Sequence, residues 1–187
     1  AGPFSSINRY LFVIIDSLTK WPEVFIVKNI NLETIIECLE SLFLGWGFPD
    51  SVISNNDSQF VSEKLNRFLT ECKIDHKLTW PYNPQCNGQA ENFIKFLKSQ
   101  LTDRSFTTIH SFQSFLHKLL FSFRCTPHST TGVTPSYAML GRNLKCGLPE
   151  PSGVETGGSN RGLAISAESY QINASGVGHN EKGHFSE

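Results

Sequence analysis

The chain has 187 residues, 39% of them hydrophobic and 18% charged, with a formal net charge of -1. These figures fit one globular domain with a full core; they exclude a low-complexity chain and the strongly basic balance of an obvious nucleic-acid binder. No apolar run nears the ~20 residues of a membrane span, and no charged-then-apolar leader is visible, so neither a membrane partner nor a targeting signal is expected.

Residues 9–16, RYLFVIID, are aromatic and β-branched and predict a strand, with residues 25–28 as its hairpin partner beyond the DSLTKWPE turn. Asn31 is placed to cap a helix whose Ile35, Ile36, Leu39, Leu42 and Phe43 repeat at helical spacing, with Gly45 expected to stop it. SVIS is a short buried strand, and Ser62 opens a second helix with Leu65, Phe68, Leu69 and Cys72 on one face. Residues 74–80, IDHKLTW, alternate as a strand does, and PYNPQCNGQ is a loop. A long helix is predicted over about 88–103 and another over about 111–124, the latter with Phe112, Phe115, Leu116, Leu119, Leu120 and Phe123 as its apolar stripe. Strands first, then helices alternating with strands, then two helices, predict a mixed α/β sheet with helices on its faces. From Pro151 onward the chain is Gly/Ser-rich without sustained period, so residues 1–148 are read as the core domain and 149–187 as a disordered tail.

Five cysteines (Cys38, Cys72, Cys86, Cys125, Cys146), odd in number and without a Cys-x-x-Cys pair, predict a reduced intracellular thiol set. The six histidines form no ligand spacing with them, so no zinc site is expected. Residues 1–149 carry 14 Lys and Arg against 12 Asp and Glu, and 150–187 carry 2 against 5, so any role on DNA must rest on local charge placement.

Two stretches invite chemistry. VISNNDSQF is a strand running into a polar turn, where α/β proteins commonly place reactive groups, yet it ends in the neutral Asn55 and Asn56 before its first carboxylate, Asp57. On the long helix Asn87, Glu91, Lys95 and Lys98 fall at i, i+4, i+8 and i+11 and share one face, beside an apolar stripe of Ala90, Ile94, Leu97 and Leu101. By spacing alone this is the pattern of a solvated face with an i,i+4 Glu–Lys pair. It is also a way to hold a metal-bound phosphodiester, the acid on the metal and the lysines on phosphates.

LFVIIDSLTKWPEV, GFPDSVISNNDSQF, KLTWPYNPQCNGQAEN and HSTTGVTPSYAMLGR together resemble the integrase catalytic core of gypsy-type LTR retrotransposons, within the retroviral integrase superfamily. The resemblance covers about residues 1–145, in order and with fitting gaps. It implies a ribonuclease H-like fold and an Asp-Asp-Glu triad holding two Mg2+ or Mn2+ ions. The implied enzyme is a polynucleotidyl transferase, whose metals activate water or a DNA 3′-hydroxyl for in-line attack on a phosphodiester. DNA is the implied partner, homo-oligomerisation is left open, and the nucleus is the implied compartment.

Matched residue by residue, most of that triad is gone. The glutamate of Pro-x-x-x-Gly-x-x-Glu falls on Glu91, through Pro84 and Gly88. The second aspartate, in Ser-Asp-Asn-Gly-x-x-Phe, falls on Asn55, with Asn56 and Phe60 kept and Asp57 in the glycine's place. The step from Asn55 to Glu91 matches the family's 36-residue spacing. The first aspartate stands just before Phe-Ala-Gly-Pro-Phe in the family. Residues 1–4 here are AGPF, so that residue is expected upstream of Ala1 and its central strand largely missing, which predicts a split sheet or residues 1–5 pressed into the gap. Asp16 lies too close to Asn55 for the first position; it matches the Asp-x-x-Ser/Thr-Lys-Trp turn, where it is expected to accept local N–H bonds.

The expected site is therefore a remnant: Glu91 as its carboxylate and weak metal ligand, Asn55 as a neutralised position, and Asn87, Lys95 and Lys98 toward DNA, with Lys73, Lys77 and Arg124 as further candidates. Neither a His-His-Cys-Cys zinc module nor the family's C-terminal β-domain is visible. The expected function is a truncated integrase core, inactive in strand transfer. The alternatives are a non-catalytic DNA- or protein-binding module and a fragment without function.

Overall fold

The structure, a computed structural model, describes residues 7–79, 88–102, 104–145 and 169–175. Strands β1 (Tyr10–Asp16) and β2 (Pro22–Val27) form an antiparallel hairpin in the register Tyr10↔Val27 to Ile15↔Pro22. Side chains of β1 alternate between two cores, Phe12 and Ile14 entering one and Leu11, Val13 and Ile15 the other. A strand buried on both faces reads as a continuous apolar run, which is why RYLFVIID shows no polar alternation.

Helix α1 (Leu32–Trp46) is capped by Asn31, whose side chain accepts from the Thr34 N–H at 2.9 Å. It runs past Gly45 and ends at Gly47, where a φ of +95° lets the N–H return to the Phe43 carbonyl at 2.8 Å. Strand β3 (Ser51–Ser54) follows, then α2 (Glu63–Glu71) capped by Ser62, then β4 (Asp75–Leu78) parallel to β3. Helices α3 (Gly88–Leu101), α4 (Ile109–Cys125) and α5 (Pro135–Leu140) come next. The short α5 was not expected, although Thr134 caps it and Pro135 opens its first turn. Helices α1 and α2 cover one face of the sheet, with Leu39, Phe43, Leu65 and Leu69 buried against Phe12 and Val52. Helices α3 and α4 cover the other, through Phe93, Leu97, Phe112 and Leu116. Among the described residues no helix is long and apolar enough to cross a membrane. Cys38, Cys72 and Cys125 are free thiols, and burial pushes Cys38 up to about 11; Cys86 and Cys146 lie outside the described residues.

The sheet runs β2-β1-β5-β3-β4, and its centre corrects the expected gap. Its fifth strand, β5 (Ser169–Ser175), comes from the stretch expected to be a disordered tail. It lies antiparallel to β1 from Leu11↔Ser175 to Asp16↔Tyr170, and parallel to β3 from Ser51↔Ser169 to Ser54↔Ile172. The sheet is thus neither split nor missing a central strand. The physical reason is that open edges on β1 and β3 would leave buried backbone groups unpaired, at about 1–3 kcal/mol each. SYQINAS supplies both rows of hydrogen bonds and two apolar anchors. Tyr170 stacks on Phe43 at 6.4 Å, and Ile172 is fully buried. Residues 1–5, and the tail on either side of β5, lie outside the described residues.

Candidate functional site

Strand β3 ends in a turn built by its own polar side chains. The Asn55 amide donates to Asp57 Oδ2 at 2.9 Å, and the Asp57 N–H approaches Asn55 Oδ1 at 3.4 Å, an Asx-type turn. The Asp57 carbonyl then accepts from the N–H groups of Phe60 and Val61. Phe60, fully buried and stacked on Phe12 at 6.4 Å, pins the turn to the core. Asn56 donates to the Thr79 carbonyl at 2.7 Å, tying the turn to the end of β4. The polar stretch is a fastened loop, with its first carboxylate engaged by the asparagine before it.

Behind the turn lies a chain that the sequence did not announce. Ser54 Oγ meets His76 Nε2 at 2.9 Å, and His76 Nδ1 meets Asn66 Oδ1 at 2.6 Å, joining β3, β4 and α2. Nδ1 donates, because the amide oxygen only accepts; in a neutral ring Nε2 is then an acceptor, and the single Ser54 hydroxyl proton is shared between it and the Asn55 carbonyl at 3.2 Å. Burial holds His76 below the usual histidine range, against the opposing pull of Asp75. The order Ser-His-Asn resembles a nucleophilic triad, but Ser54 has no exposed surface and no acyl group can reach it. Its role is to lock the strand register beneath Asn55.

Helix α3 packs against β5 and β1, burying Ala90, Phe93, Ile94, Leu97 and Leu101. Glu91 and Lys95 are exposed and Lys98 is half-buried. Among the described residues no ion pair joins Glu91 to either lysine, so the i,i+4 pair is not formed. Asn87 lies outside the described residues. Two further DNA candidates are otherwise engaged. Lys77 pairs with Asp75 at 3.4 Å. Arg124 turns inward: it donates to the Pro22 carbonyl at 2.7 Å, pairs with Glu23 at 3.1 Å and lies 4.2 Å over the Trp21 ring. Desolvation lowers its pKa and the Glu23 carboxylate opposes that. Arg124 clamps α4 to the hairpin.

Asp16 does what the turn motif implied, its Oδ2 accepting from the Thr19 N–H at 2.8 Å and from the Thr19 hydroxyl. Next to it Lys20 is buried and donates to the Ser17 carbonyl; desolvation lowers its pKa and Asp16 opposes that. A cavity of about 360 Å³ opens between this turn and α3, lined among others by Lys20, Gln89, Phe93, Phe123 and His128.

The sheet also brings up a residue that the sequence did not single out. Ser54 of β3 pairs with Ile172, and Asn173 is the next residue of β5, in register with Val13. One step past the last β3–β5 pair, Asn55 and Asn173 therefore stand at neighbouring strand positions, both neutral amides. A pair of hard divalent cations needs several anionic oxygens. Among the described residues no three His, Cys, Asp or Glu side chains cluster to hold a metal, and the Asn55 amide is spent on Asp57. The implied ion pair does not fit this donor set.

Comparison with known proteins agrees with this architecture. The Integrase core domain family matches residues 2–84. The Caenorhabditis elegans uncharacterized protein K02A2.6 is 35% identical over 147 residues, covering 78% of this chain and 11% of that protein. The Gag-Pol polyprotein of Woolly monkey sarcoma virus is 32% identical over 136 residues, 72% of this chain and 8% of the polyprotein. The chain thus spans about a tenth of these relatives' length. In three dimensions it is similar to the catalytic core domain of BIV integrase, with a TM-score of 0.55 at 19% identity over 71% of this chain and 86% of that one. It is also similar to a chain of the simian T-cell lymphotropic virus intasome in complex with PP2A regulatory subunit B56 gamma, with a TM-score of 0.56 at 18% identity over 79% of this chain and 54% of that one. Local motifs, matched relatives and ribonuclease H-like sheet converge: the chain belongs to the retroviral-type integrase core family.

Proposed function

We propose that this chain is an integrase-family core that keeps the fold of DNA integration without its strand-transfer chemistry. The observation that carries this is the neutral strand end at Asn55, fastened to Asp57 where the family resemblance asks for an aspartate, with another neutral residue, Asn173, at the neighbouring position of the central strand. Glu91 is then the remnant carboxylate. Each missing anionic ligand removes charge that the developing phosphorane needs, and a loss of about 4 kcal/mol is a thousandfold in rate. What remains is a scaffold able to touch DNA weakly, from the exposed Lys95 with Lys98 and Lys73, in the nucleus where such a ligand is found. That contact would be sensitive to salt.

The test is a strand-transfer and 3′-processing assay on DNA oligonucleotides with Mg2+ and with Mn2+. The expected result is no product above the metal-free background. Product that appears with metal and is abolished by Glu91→Gln overturns the proposal. A DNA-binding isotherm repeated across salt concentrations separates a binding module from a fragment, because a flat, non-saturating signal would remove DNA as the ligand.

A further inference from the structure

We infer that the cavity between the hairpin turn, α3 and the loop after α4 is a binding site for a small aromatic oxyanion, its charged group held by Lys20 and His128 and its ring by Phe93, Phe96 and Phe123. The site uses none of Asn55, Glu91, Lys95 and Lys98, so it is independent of the function proposed above. A volume of about 360 Å³ suits a ligand of one ring, since pockets for larger organic ligands run up to about 1,000 Å³. Lys20 carries the charge. It is 7% exposed and sits at a φ of +63°, a conformation that glycine adopts without strain and a lysine does not. One ammonium proton goes to the Ser17 carbonyl; the other two have no partner, and no ion pair joins Lys20 to Asp16, among the described residues. A desolvated ammonium with open donors is the group that an arriving anion stabilises most.

His128 supplies a second donor. The Thr130 N–H donates to its Nδ1 at 3.3 Å, which leaves the ring proton on Nε2. Burial lowers the His128 pKa and the Lys20 charge lowers it further, as two basic groups do when they share a space without an anion. The loop that carries His128 is closed on itself. Its N–H reaches the Val133 carbonyl at 2.9 Å, and the Gly132 N–H returns to its carbonyl at 2.8 Å, so the donor is positioned before a ligand arrives. Gln89, in the same wall, has a buried Oε1 without a partner; reversing that amide exchanges the acceptor for N–H donors. The rings define the rest of the ligand. Phe123 lies edge-on to Phe93 at 4.8 Å and tilted to Phe96 at 5.6 Å, and its ring is 6.3 Å from that of His128. A further aromatic ring packs on such a cluster at about 4.5–7 Å between centroids. The closeness of Phe123 to His128 then calls for an anionic group attached directly to that ring. A bare anion leaves the aromatic wall uncovered, and a neutral ring leaves Lys20 unpaired.

The test is isothermal titration calorimetry of the full chain with four probes: phenyl phosphate, benzoate, inorganic phosphate and benzamide. The expected result is saturable binding of phenyl phosphate, benzoate or both, with inorganic phosphate and benzamide weaker by about tenfold or more. The tighter of the two aromatic acids says whether the charged group is a phosphate or a carboxylate. Lys20→Met should weaken that binding by about tenfold or more, because it keeps the apolar stem and removes the charge. Ser129→Trp, at an exposed residue of the rim, should abolish it by filling the cavity. The inference is overturned if neither aromatic acid saturates, if inorganic phosphate binds as tightly as phenyl phosphate, or if Ser129→Trp binds like the parent chain. Should Lys20→Met not fold, by circular dichroism, the probe series and Ser129→Trp decide the question without it.

Discussion

Replacing Ile172 by alanine probes the least local feature of the fold. Ile172 has no exposed surface; it lies in register between Ile14 of β1 and Ser54 of β3, in a core that includes Phe12, Val52 and Tyr170. Truncating a buried isoleucine removes its transfer free energy and leaves a cavity, together about 2–5 kcal/mol. Hydrogen bonding on both sides of β5 limits how far the strand can settle into the space, which places the loss at about 3–4 kcal/mol. For a domain of roughly 150 residues, where 1 kcal/mol moves Tm by about 2–4 °C, the melt should fall by about 6–16 °C. Ile172→Val should fall between, at about 0.5–1.5 kcal/mol. Leu44→Ala, at a site 83% exposed on α1, should move by less than about 0.5 kcal/mol. Circular dichroism melts and urea titrations read all three. If Ile172→Ala melts with Leu44→Ala, β5 does not hold the centre of the sheet, and the order β2-β1-β5-β3-β4 is refuted.

Stability should drop as pH falls from 7 toward 5, because burial depresses both His76 and His128 and the unfolded chain then binds protons that the folded one refuses. The loss begins near the unfolded histidine value of about 6.5 and continues down to the depressed folded values; His76→Gln should flatten the urea midpoint's pH slope, and an unchanged slope would remove His76 as its source. Arg124→Lys keeps the charge but loses the guanidinium Nη2 that reaches both Pro22 and Glu23 and the stack on Trp21, so it should cost about 1–2 kcal/mol, read by urea titration of tryptophan fluorescence. Asn55→Asp combined with Asn173→Asp should create Mn2+-dependent thermal stabilisation that the parent chain lacks, and equal Mn2+ responses in the two proteins would separate these positions from any metal site.

Helices α1 and α2 were legible because each signal is local, a capping Asn31 or Ser62 and an apolar stripe at helical spacing, and α4 through its stripe alone, its Thr108 cap lying ahead of the expected start at 111. The hairpin was legible for the same reason. Strand β5 was not, although Tyr170, Ile172 and Ala174 do alternate with polar residues. Seven residues in a Gly/Ser-rich stretch have no stability of their own, and what makes them a strand is a slot whose walls lie more than a hundred positions away. Distance also hid Arg124, a free cation in the sequence whose partners Trp21 and Glu23 are distant in the chain. The Ser54–His76–Asn66 chain depends on the β3–β4 register, which no periodicity encodes. Asn55 could be located through its motif alone, and its neighbour Asn173 only through the sheet.

The two asparagines bear on stability as well as on chemistry. Neighbouring strands lie about 4.8 Å apart, so aspartates at positions 55 and 173 would hold like charges about 5 Å from one another. At an effective dielectric near 20 that repulsion is about 3 kcal/mol, a sizeable share of a domain's net stability, unless a cation stands between them. With neutral amides the strand ends can meet unaided, and Asn55 can turn its side chain to Asp57 and fasten the loop. In this chain Tyr170, Ile172 and backbone pairing with β1 and β3 hold the strand.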